Sequence, residues 1–297
     1  NSGSESIEAA LKFTRKWAFG IGGEDKHEII SFEHSFHGRT YGAISATAQP
    51  KYHEGFKPMV PGMVYLPFND IDALGQAVST ERTATVIIEP VQGEGGVNTV
   101  QGEFLKHLRM LCDERQVALI FDEIQCGLCR TGKFFAYQHH GIEPDVMTLA
   151  KPLAGGLPIG AVMMKPHIAE ALKPGMHGST FGANPVACHT ALAVVQKMIT
   201  ENIAEQTRKA GEALTDGLHV LQTKHKDIKE VRGSGLLIGI EFEDKVDGIV
   251  AACREKGMLV GSAGEKVLRW APPLVIEQSH IDEALHILDE VLVARGI

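Results

Sequence analysis

The 297-residue chain has no apolar run near the ~20 residues that a membrane-spanning helix needs. Cysteine is scarce: five residues do not make a disulfide framework in a chain of this length, which favours a reducing compartment. Positive charge is not in excess, because 29 basic residues stand against 37 acidic residues and the net charge is −8. That balance leaves no electrostatic footprint for nucleic acid or an anionic membrane. We expect neither as a partner.

What the sequence does have is an alternation of short β-branched runs with amphipathic stretches, which is typical of an α/β fold. The run from Val117 to Phe121 has no polar alternation, as expected of a strand covered on both faces. The pattern therefore predicts a doubly wound, mostly parallel sheet. The predicted strands are Glu28–Phe32, Met63–Leu66, Thr85–Ile88, Val117–Phe121, Val146–Leu149 and Ile159–Met163, and the predicted helices are Ser6–Phe19, Ile71–Val78, Gly102–Arg115 and Val186–Ile199.

The pattern changes after about Thr180. Two helical stretches, 185–200 and 203–221, precede a strand-like run at Leu236–Phe242 and a final helix at Gln278–Ala294. We expect a large domain over residues 1–183 and a smaller C-terminal α+β domain over residues 184–297. The chain opens with Asn-Ser-Gly-Ser-Glu and no initiator Met, so we expect the large domain to be N-terminally incomplete.

Polar side chains follow three of the predicted strands. Glu89 comes after Val86-Ile-Ile, Asp122 after Leu119-Ile-Phe, and Lys151 after Val146-Met-Thr-Leu-Ala. Open parallel sheets bind their ligands beyond the carboxyl ends of the strands. The sequence therefore predicts that two carboxylates and one amine converge on one ligand.

Six motifs resemble those of class III aminotransferases, in family order over essentially the whole chain. Any one of them is moderate support, whereas six in register leave little room for coincidence. The resemblance implies a PLP-dependent transferase fold of type I, pyridoxal phosphate as cofactor, and a homodimer with shared active sites. The motifs are Phe36-His-Gly-Arg-Thr, Glu89-Pro-Val-Gln-Gly-Glu-Gly-Gly, Phe121-Asp-Glu-Ile-Gln-Cys-Gly, Leu149-Ala-Lys-Pro-Leu-Ala-Gly-Gly-Leu-Pro-Ile-Gly-Ala, His177-Gly-Ser-Thr-Phe-Gly-Ala-Asn-Pro and Leu268-Arg-Trp-Ala-Pro-Pro-Leu.

The resemblance also assigns catalytic roles. Lys151 forms the Schiff base with the cofactor and later shuttles the proton. Asp122 holds the pyridine nitrogen, which keeps the ring an electron sink. Glu89 is similar to a residue near the reacting end of the substrate.

Further positions match cofactor-binding residues of the family. Ser2, Gly3 and Ser4 precede a predicted helix, and backbone donors at a helix N-terminus suit a phosphate. The other three assignments rest on the resemblance alone: Phe36 lies on the cofactor ring, Gln125 binds the ring hydroxyl, and Thr180 reaches the phosphate of the neighbouring subunit.

Two arginines are expected to bind substrate carboxylates, Arg39 and Arg269, because a guanidinium grips a carboxylate with two hydrogen bonds. Glu94 matches a family glutamate that pairs with the second arginine when no substrate carboxylate is there. The pair Glu94–Arg269 would thus be closed for an ornithine-like donor and open for glutamate. An ordinary structural salt bridge is the alternative.

The strings around Lys151 and His177 are most similar to the acetylornithine branch of the family. They imply transamination of N-acetylornithine with 2-oxoglutarate, giving N-acetylglutamate semialdehyde and glutamate, a step of arginine biosynthesis. Ornithine, succinylornithine or 4-aminobutyrate as donor stays open, as do a same-fold aminomutase or decarboxylase and an inactive fragment. We expect a cytoplasmic enzyme, or a mitochondrial matrix enzyme if the source is eukaryotic.

The spacing Cys126-Gly-Leu-Cys129 is that of some redox and zinc sites. No second CxxC and no suitably spaced histidine pair accompanies it, so a zinc site lacks ligands. We expect no metal and treat the two cysteines as substitutions next to the active site.

Overall fold

The computed structural model describes residues 1–296, which form two compact units. The first unit comprises residues 1–90, 100–125 and 137–196, and the described part of the second comprises residues 91–99, 126–136 and 197–296. Both are discontinuous in sequence, because two short segments that follow strands of the first unit belong to the second.

A six-stranded sheet forms the centre of the first unit, in the order β2-β1-β3-β6-β7-β8. All neighbouring strands are parallel except β8, which runs antiparallel to β7. The predicted α/β class with a mostly parallel sheet is confirmed. The strands are β1 (Glu28–Phe32), β2 (Met63–Leu66), β3 (Thr83–Ile88), β6 (Ala118–Asp122), β7 (Val146–Leu149) and β8 (Ala161–Met164).

Helices cover both faces of this sheet. One apolar cluster joins Phe104, Leu105 and Leu108 to one face, and another joins Ile7, Ala10 and neighbouring residues to the opposite face. Every residue of β3 and β6 is buried, and for β6 this is what the unbroken apolar run from Val117 to Phe121 predicts. The helices of this unit are α1 (Gly3–Gly22), α2 (Tyr41–Ala46), α3 (Ile71–Ala77), α4 (Gly102–Glu114), α5 (Pro166–Ala169) and most of α6 (Pro185–Thr200).

The second unit contains a four-stranded antiparallel sheet in the order β11-β12-β10-β9 and a two-stranded ribbon of β4 and β5. Leu218, Ile238 and Leu288 are among the residues of the core between this sheet and its helices. The elements are β4 (Val91–Gln92), β5 (Asn98–Thr99), α7 (Ile203–Lys224), β9 (Ile228–Ser234), β10 (Leu237–Phe242), α8 (Asp247–Glu255), β11 (Gly261–Ser262), β12 (Val267–Trp270) and α9 (Gln278–Ala294).

Several element boundaries differ from the sequence prediction. Helix α1 begins at Gly3 instead of Ser6, because the Ser2 hydroxyl accepts a hydrogen bond from Glu5 N at 3.2 Å and caps the helix there. The elements that were not predicted are strands β4, β5, β9, β11 and β12 and helices α2, α5 and α8. No helix within residues 1–296 is long and apolar enough to cross a membrane.

Candidate active site

The three polar groups that follow the central strands lie at one edge of the sheet. Glu89 directly follows β3, Asp122 is the last residue of β6, and Lys151 lies two residues beyond β7. These strands are parallel neighbours, so their carboxyl ends meet at the same edge. Lys151 is exposed in the turn after β7, whereas both carboxylates are buried. The structure thus places an accessible amine at the same sheet edge as two buried acids.

Asp122 is held on both of its carboxylate oxygens. Its Oδ2 lies 2.7 Å from His37 Nδ1, and its Oδ1 accepts hydrogen bonds from Ile124 N at 3.1 Å and from the Thr148 hydroxyl at 3.4 Å. Only 4% of Asp122 is exposed. Hydrogen bonds to both oxygens fix the orientation of this carboxyl group.

The loop from Phe36 to Arg39 connects three of the candidate positions. Phe36 N donates to Glu89 Oε2 at 3.0 Å, and Arg39 N donates to Ser4 Oγ at 3.2 Å. Between them, Gly38 has a φ of 133°, and a Cβ there would lie 2.2 Å from Ser4 Oγ. With the contact of His37 to Asp122, this one loop binds the ends of β3 and β6 and the start of α1.

The first turn of α1 adjoins the segments that carry Asp122 and Lys151. A Cβ on Gly3 would lie 3.0 Å from Ile124 Cγ2 and 3.6 Å from Ala150 Cβ, so only hydrogen fits there without a shift. A Cβ on Gly160 would likewise lie 2.4 Å from the Ser2 carbonyl oxygen. Backbone N–H groups of a first turn and the positive end of the helix dipole suit an anion such as a phosphate.

The remaining candidate side chains of the first unit lie on loops. Gln125 is half-buried in the turn after β6, and Thr180 is exposed before α6. Next to Thr180, Ser179 Oγ accepts a hydrogen bond from Asn1 Nδ2 at 3.0 Å, so this loop lies beside the start of α1. Phe36 is half-buried, and the Arg39 guanidinium lies 4.3 Å from the centre of the Tyr52 ring.

These features fit a phosphate-bearing pyridine cofactor. A buried, doubly anchored carboxylate is the partner that a protonated pyridine nitrogen requires. The helix N-terminus supplies donors for a phosphate, and Gly3 and Gly160 allow the neighbouring segments to pack closely at the start of α1. Lys151 places a primary amine at the same edge of the sheet.

In the second unit, Glu94 and Arg269 form an ion pair. Glu94 Oε1 lies 2.6 Å from Arg269 Nη1, which also donates to the Gly93 carbonyl oxygen at 2.7 Å. The glutamate side chain is 30% exposed and the arginine side chain 18%, so the pair is accessible to a solute. The structure therefore brings these two predicted partners together.

The Cys126–Cys129 segment shows no feature of a metal site. Both side chains are buried, and burial raises the pKa of the Cys129 thiol to about 11. Across residues 1–296, no three His, Cys, Asp or Glu side chains form a group that could hold a metal ion.

His37 is the residue of this site to which the sequence analysis gave no role. Roles for Phe36 and Arg39 follow from their motif. A histidine between them indicates no role until Asp122 is known to face it. Its Nε2 is buried and has no hydrogen-bond partner among residues 1–296. A buried imidazole with one nitrogen committed to a carboxylate is a sign of positioning.

Comparison with known proteins identifies the family to which this chain belongs. The family model described as "Aminotransferase class-III" matches residues 1–292. The acetylornithine aminotransferase of Methanocaldococcus jannaschii is 50% identical over 292 residues, which are 98% of this chain and 73% of that protein. The acetylornithine aminotransferase of Caldanaerobacter subterraneus subsp. tengcongensis is 47% identical over 293 residues, which are 98% of this chain and 74% of that protein.

A solved structure agrees with this result. The ornithine aminotransferase from Toxoplasma gondii, crystallised in the presence of oxidised glutathione, matches with a TM-score of 0.93 and 36% identity over 99% of this chain and 71% of that chain. That structure has partial occupancy of PLP at its active site. The predicted family, fold type and cofactor are confirmed, and the chain belongs to the class III aminotransferases, which are PLP-dependent enzymes.

Proposed function

We propose that this enzyme transfers the terminal amino group of N-acetylornithine to 2-oxoglutarate, giving N-acetylglutamate semialdehyde and glutamate, a step of arginine biosynthesis. The observation that carries the proposal is the closed Glu94–Arg269 pair at 2.6 Å. N-acetylornithine has no carboxylate at its reacting end, whereas glutamate has one. An aminotransferase that uses both donors in turn needs a group that covers Arg269 for the first and leaves it for the second. The names of the two relatives, 47–50% identical to this chain, support the same substrate.

Lys151 is the proposed base and point of covalent attachment. When bound, pyridoxal phosphate supplies an electron sink that stabilises negative charge on the carbon losing its proton. Lys151 Nζ takes the proton from the carbon that carries the donor amine and returns it at the other end of the reacting system. Its exposed position beyond β7 leaves the amine accessible to both substrate and cofactor.

Asp122 is proposed to hold a proton on the pyridine nitrogen. A carboxylate fixed by His37, Thr148 and Ile124 N stays in the orientation that this contact requires. Because it is buried, its attraction for a protonated ring nitrogen is screened little by water. Glu89 is proposed to orient the substrate near its reacting end, and its hydrogen bond from Phe36 N fixes it there.

The remaining cofactor contacts are proposed as follows. Ser2, Gly3 and Ser4 bind the phosphate at the start of α1. Phe36 packs on the ring, and Gln125 binds its hydroxyl. Thr180 is proposed to reach the phosphate of a partner subunit, which requires a homodimer; its exposure on a loop supports this role.

Two arginines are proposed to bind carboxylates of the substrates. Arg39 lies on an aromatic ring, which orients its guanidinium while leaving the planar edge for a carboxylate. Arg269 is covered by Glu94 when the donor is N-acetylornithine. When glutamate binds, its carboxylate replaces Glu94 on Arg269. The cytoplasmic location, or the mitochondrial matrix for a eukaryotic source, stays a prediction from the sequence.

The test is a half-reaction without 2-oxoglutarate. The PLP-loaded enzyme is mixed with N-acetylornithine, ornithine or 4-aminobutyrate in turn, and the conversion of the yellow cofactor to its pyridoxamine form is followed. We expect conversion to be fastest with N-acetylornithine. Faster conversion with either other amine contradicts the proposed substrate, and a chain that gains no yellow colour contradicts the assignment of Lys151.

A further inference from the structure

The turn between β4 and β5, residues 93–97, is held at both of its ends by arginine side chains; we name it the glycine loop. At one end, Arg269 Nη1 donates to the Gly93 carbonyl oxygen at 2.7 Å and contacts Glu94. At the other end, Arg232 donates to the Gly96 carbonyl oxygen twice, from Nε at 3.0 Å and from Nη2 at 2.8 Å. Glu94 lies between the two attachments.

The two arginines lie in one row across the second sheet. Gly239 of β10 pairs with Arg232 of β9 on one side and with Arg269 of β12 on the other. Residues directly opposite one another in an antiparallel sheet project from the same face. A Cβ on Gly239 would lie 2.9 Å from Val97 Cβ, so the absent side chain leaves room for the glycine loop between the arginines.

The glycine loop has a backbone conformation that it would not adopt by itself. Gly96 has a φ of 118°, and the next residue, Val97, has a φ of 54°. A β-branched residue is a clear outlier in this left-handed region, and such a conformation persists only where the surroundings fix it. Val97 is fully buried, and the paired hydrogen bonds from Arg232 hold the peptide that precedes it.

Arg232 is itself held in place by two carboxylates. Its Nη1 lies 2.7 Å from Glu230 Oε2 and also contacts Glu241 Oε2, and its side chain is 16% exposed. Its charge is therefore balanced within the sheet, and its planar donors are directed to the loop. This distinguishes Arg232 from Arg269, whose carboxylate partner belongs to the glycine loop itself.

We propose that Arg232 is a positioning residue that determines donor specificity: by fixing Gly96 it keeps Glu94 closed on Arg269. The inference rests on the proposed function, since it concerns how the closed pair is maintained. Without the contacts of Arg232 the loop relaxes from the left-handed conformation, and Glu94 covers Arg269 for a smaller fraction of the time. Glutamate then gains access to Arg269, and N-acetylornithine loses the closed pair that suits a reacting end without a carboxylate.

The experiment is a double-mutant cycle on one ratio, the half-reaction efficiency with glutamate divided by that with N-acetylornithine. The variants are Arg232→Ala, Glu94→Ala and their combination. We expect Arg232→Ala to raise the ratio by about threefold or more, and the double variant to match Glu94→Ala alone, because the two residues act through one pair. A role in stability alone would lower both efficiencies together and leave the ratio unchanged.

Three further variants complete the design. Lys229→Ala removes another cation of β9, whose ion pair with Glu243 is 2.6 Å long, and is expected to leave the ratio unchanged. Arg232→Lys keeps the charge without the paired donors and is expected to give an intermediate ratio. Gly239→Ala displaces Val97 while keeping Arg232, so it tests the loop if Arg232→Ala does not fold, and we expect it to raise the ratio.

An unchanged ratio in Arg232→Ala or Gly239→Ala, or independent and additive effects of Arg232→Ala and Glu94→Ala, overturns the inference. The proposed function fails in a different way, through a wild-type enzyme that converts its cofactor faster with ornithine or 4-aminobutyrate than with N-acetylornithine, or with none of these amines. The two failures are therefore distinguished before any variant is made.

Discussion

His37 Nδ1 lies 2.7 Å from Asp122 Oδ2 in a site where both residues are buried. The contact fixes the carboxylate that faces the proposed position of the pyridine nitrogen. Two roles are compatible with it. The imidazole can merely fill space, or it can tune the strength with which Asp122 holds its ligand.

Replacing His37 by Asn tests the second role. A hydrogen bond to a charged group is worth about 1.5–3 kcal/mol, so we expect His37→Asn to lower kcat by about tenfold or more and to weaken PLP binding. The measurements are kcat and the PLP dissociation constant from cofactor fluorescence. His53→Asn is the control, because His53 is buried in the same unit and hydrogen-bonds the Ile44 and Thr47 carbonyl oxygens instead. Equal losses in both variants would show that filling space is the only role of His37.

Lys151→Ala removes the proposed base and attachment point. We expect turnover to fall by about a thousandfold or more, since a positioned acid–base group contributes on the order of 10²–10⁴ and covalent attachment is lost as well. Borohydride reduction followed by peptide mass mapping should place the cofactor on Lys151 in the wild type and nowhere in the variant. Lys173→Ala, at an exposed loop position, is the control. A labelled peptide that lacks Lys151 would contradict the assignment.

Glu94→Ala removes the cover from Arg269. We expect glutamate to gain relative to N-acetylornithine by about tenfold, because an unshielded guanidinium favours the donor that brings a carboxylate. Separate half-reaction rates with each amine give the comparison. Glu243→Ala is the control, because it removes a carboxylate of the same unit that pairs with Lys229, and it should leave the ratio unchanged. If Glu94→Ala changes the half-reaction rates with both donors equally, the ion pair has only a structural role.

Asp289 is expected to make stability depend on pH. Hydrogen bonds from Lys224 Nζ and His225 Nε2, both 2.6 Å long, lower the pKa of Asp289 below its usual value. A depressed carboxyl pKa adds stability above the unfolded-state value of about 4, and this is lost as the pH falls through the folded-state value. Asp289→Asn should therefore lower Tm at pH 7, and its difference in Tm from the wild type should shrink as the pH falls below the unfolded-state value of about 4.

Thermal unfolding of both proteins at pH 7 and over a series of pH values below about 4 measures this. Asp282→Asn, on the same helix and hydrogen-bonded to Gln278 at 2.8 Å, controls for the loss of a helical carboxylate. A difference in Tm between Asp289→Asn and the wild type that stays constant as the pH falls below about 4 would show that the charge is not its cause.

The sequence predicts those elements whose apolar pattern is local. The bounds of β1, β2, β7 and α9 agree with the prediction, because each is a continuous or periodic apolar run. Strand β9 was missed because it carries Lys229, Glu230 and Arg232, and its strand conformation depends on pairing with β10. The six-residue α2 was missed because its N-terminus is capped from a distance, by Glu8 accepting from Gly42 N at 2.7 Å.

For the candidate site, too, the sequence predicts local features and misses contacts between distant residues. The family motifs identify Lys151, Asp122 and Glu94 as candidate site residues. The ends of the predicted strands also predict that Lys151 and Asp122 lie at one edge of the sheet. The contact of His37 with Asp122 spans 85 positions in the sequence and exists only because β1, β3 and β6 are neighbours in the sheet. The role of Arg232 depends on a cross-strand register that no local pattern shows.

The discontinuity of the second unit has a consequence for dissecting this enzyme. Residues 91–99 and 126–136 belong to it, although each is connected on both sides to the first unit. No single cut in the chain therefore releases a complete second unit. A fragment of residues 197–296 would contain Arg269 without Glu94 and Gly239 without Val97, so its sheet would expose an apolar surface and an uncovered arginine. Domain swaps between relatives therefore need to exchange three segments together to transfer donor preference.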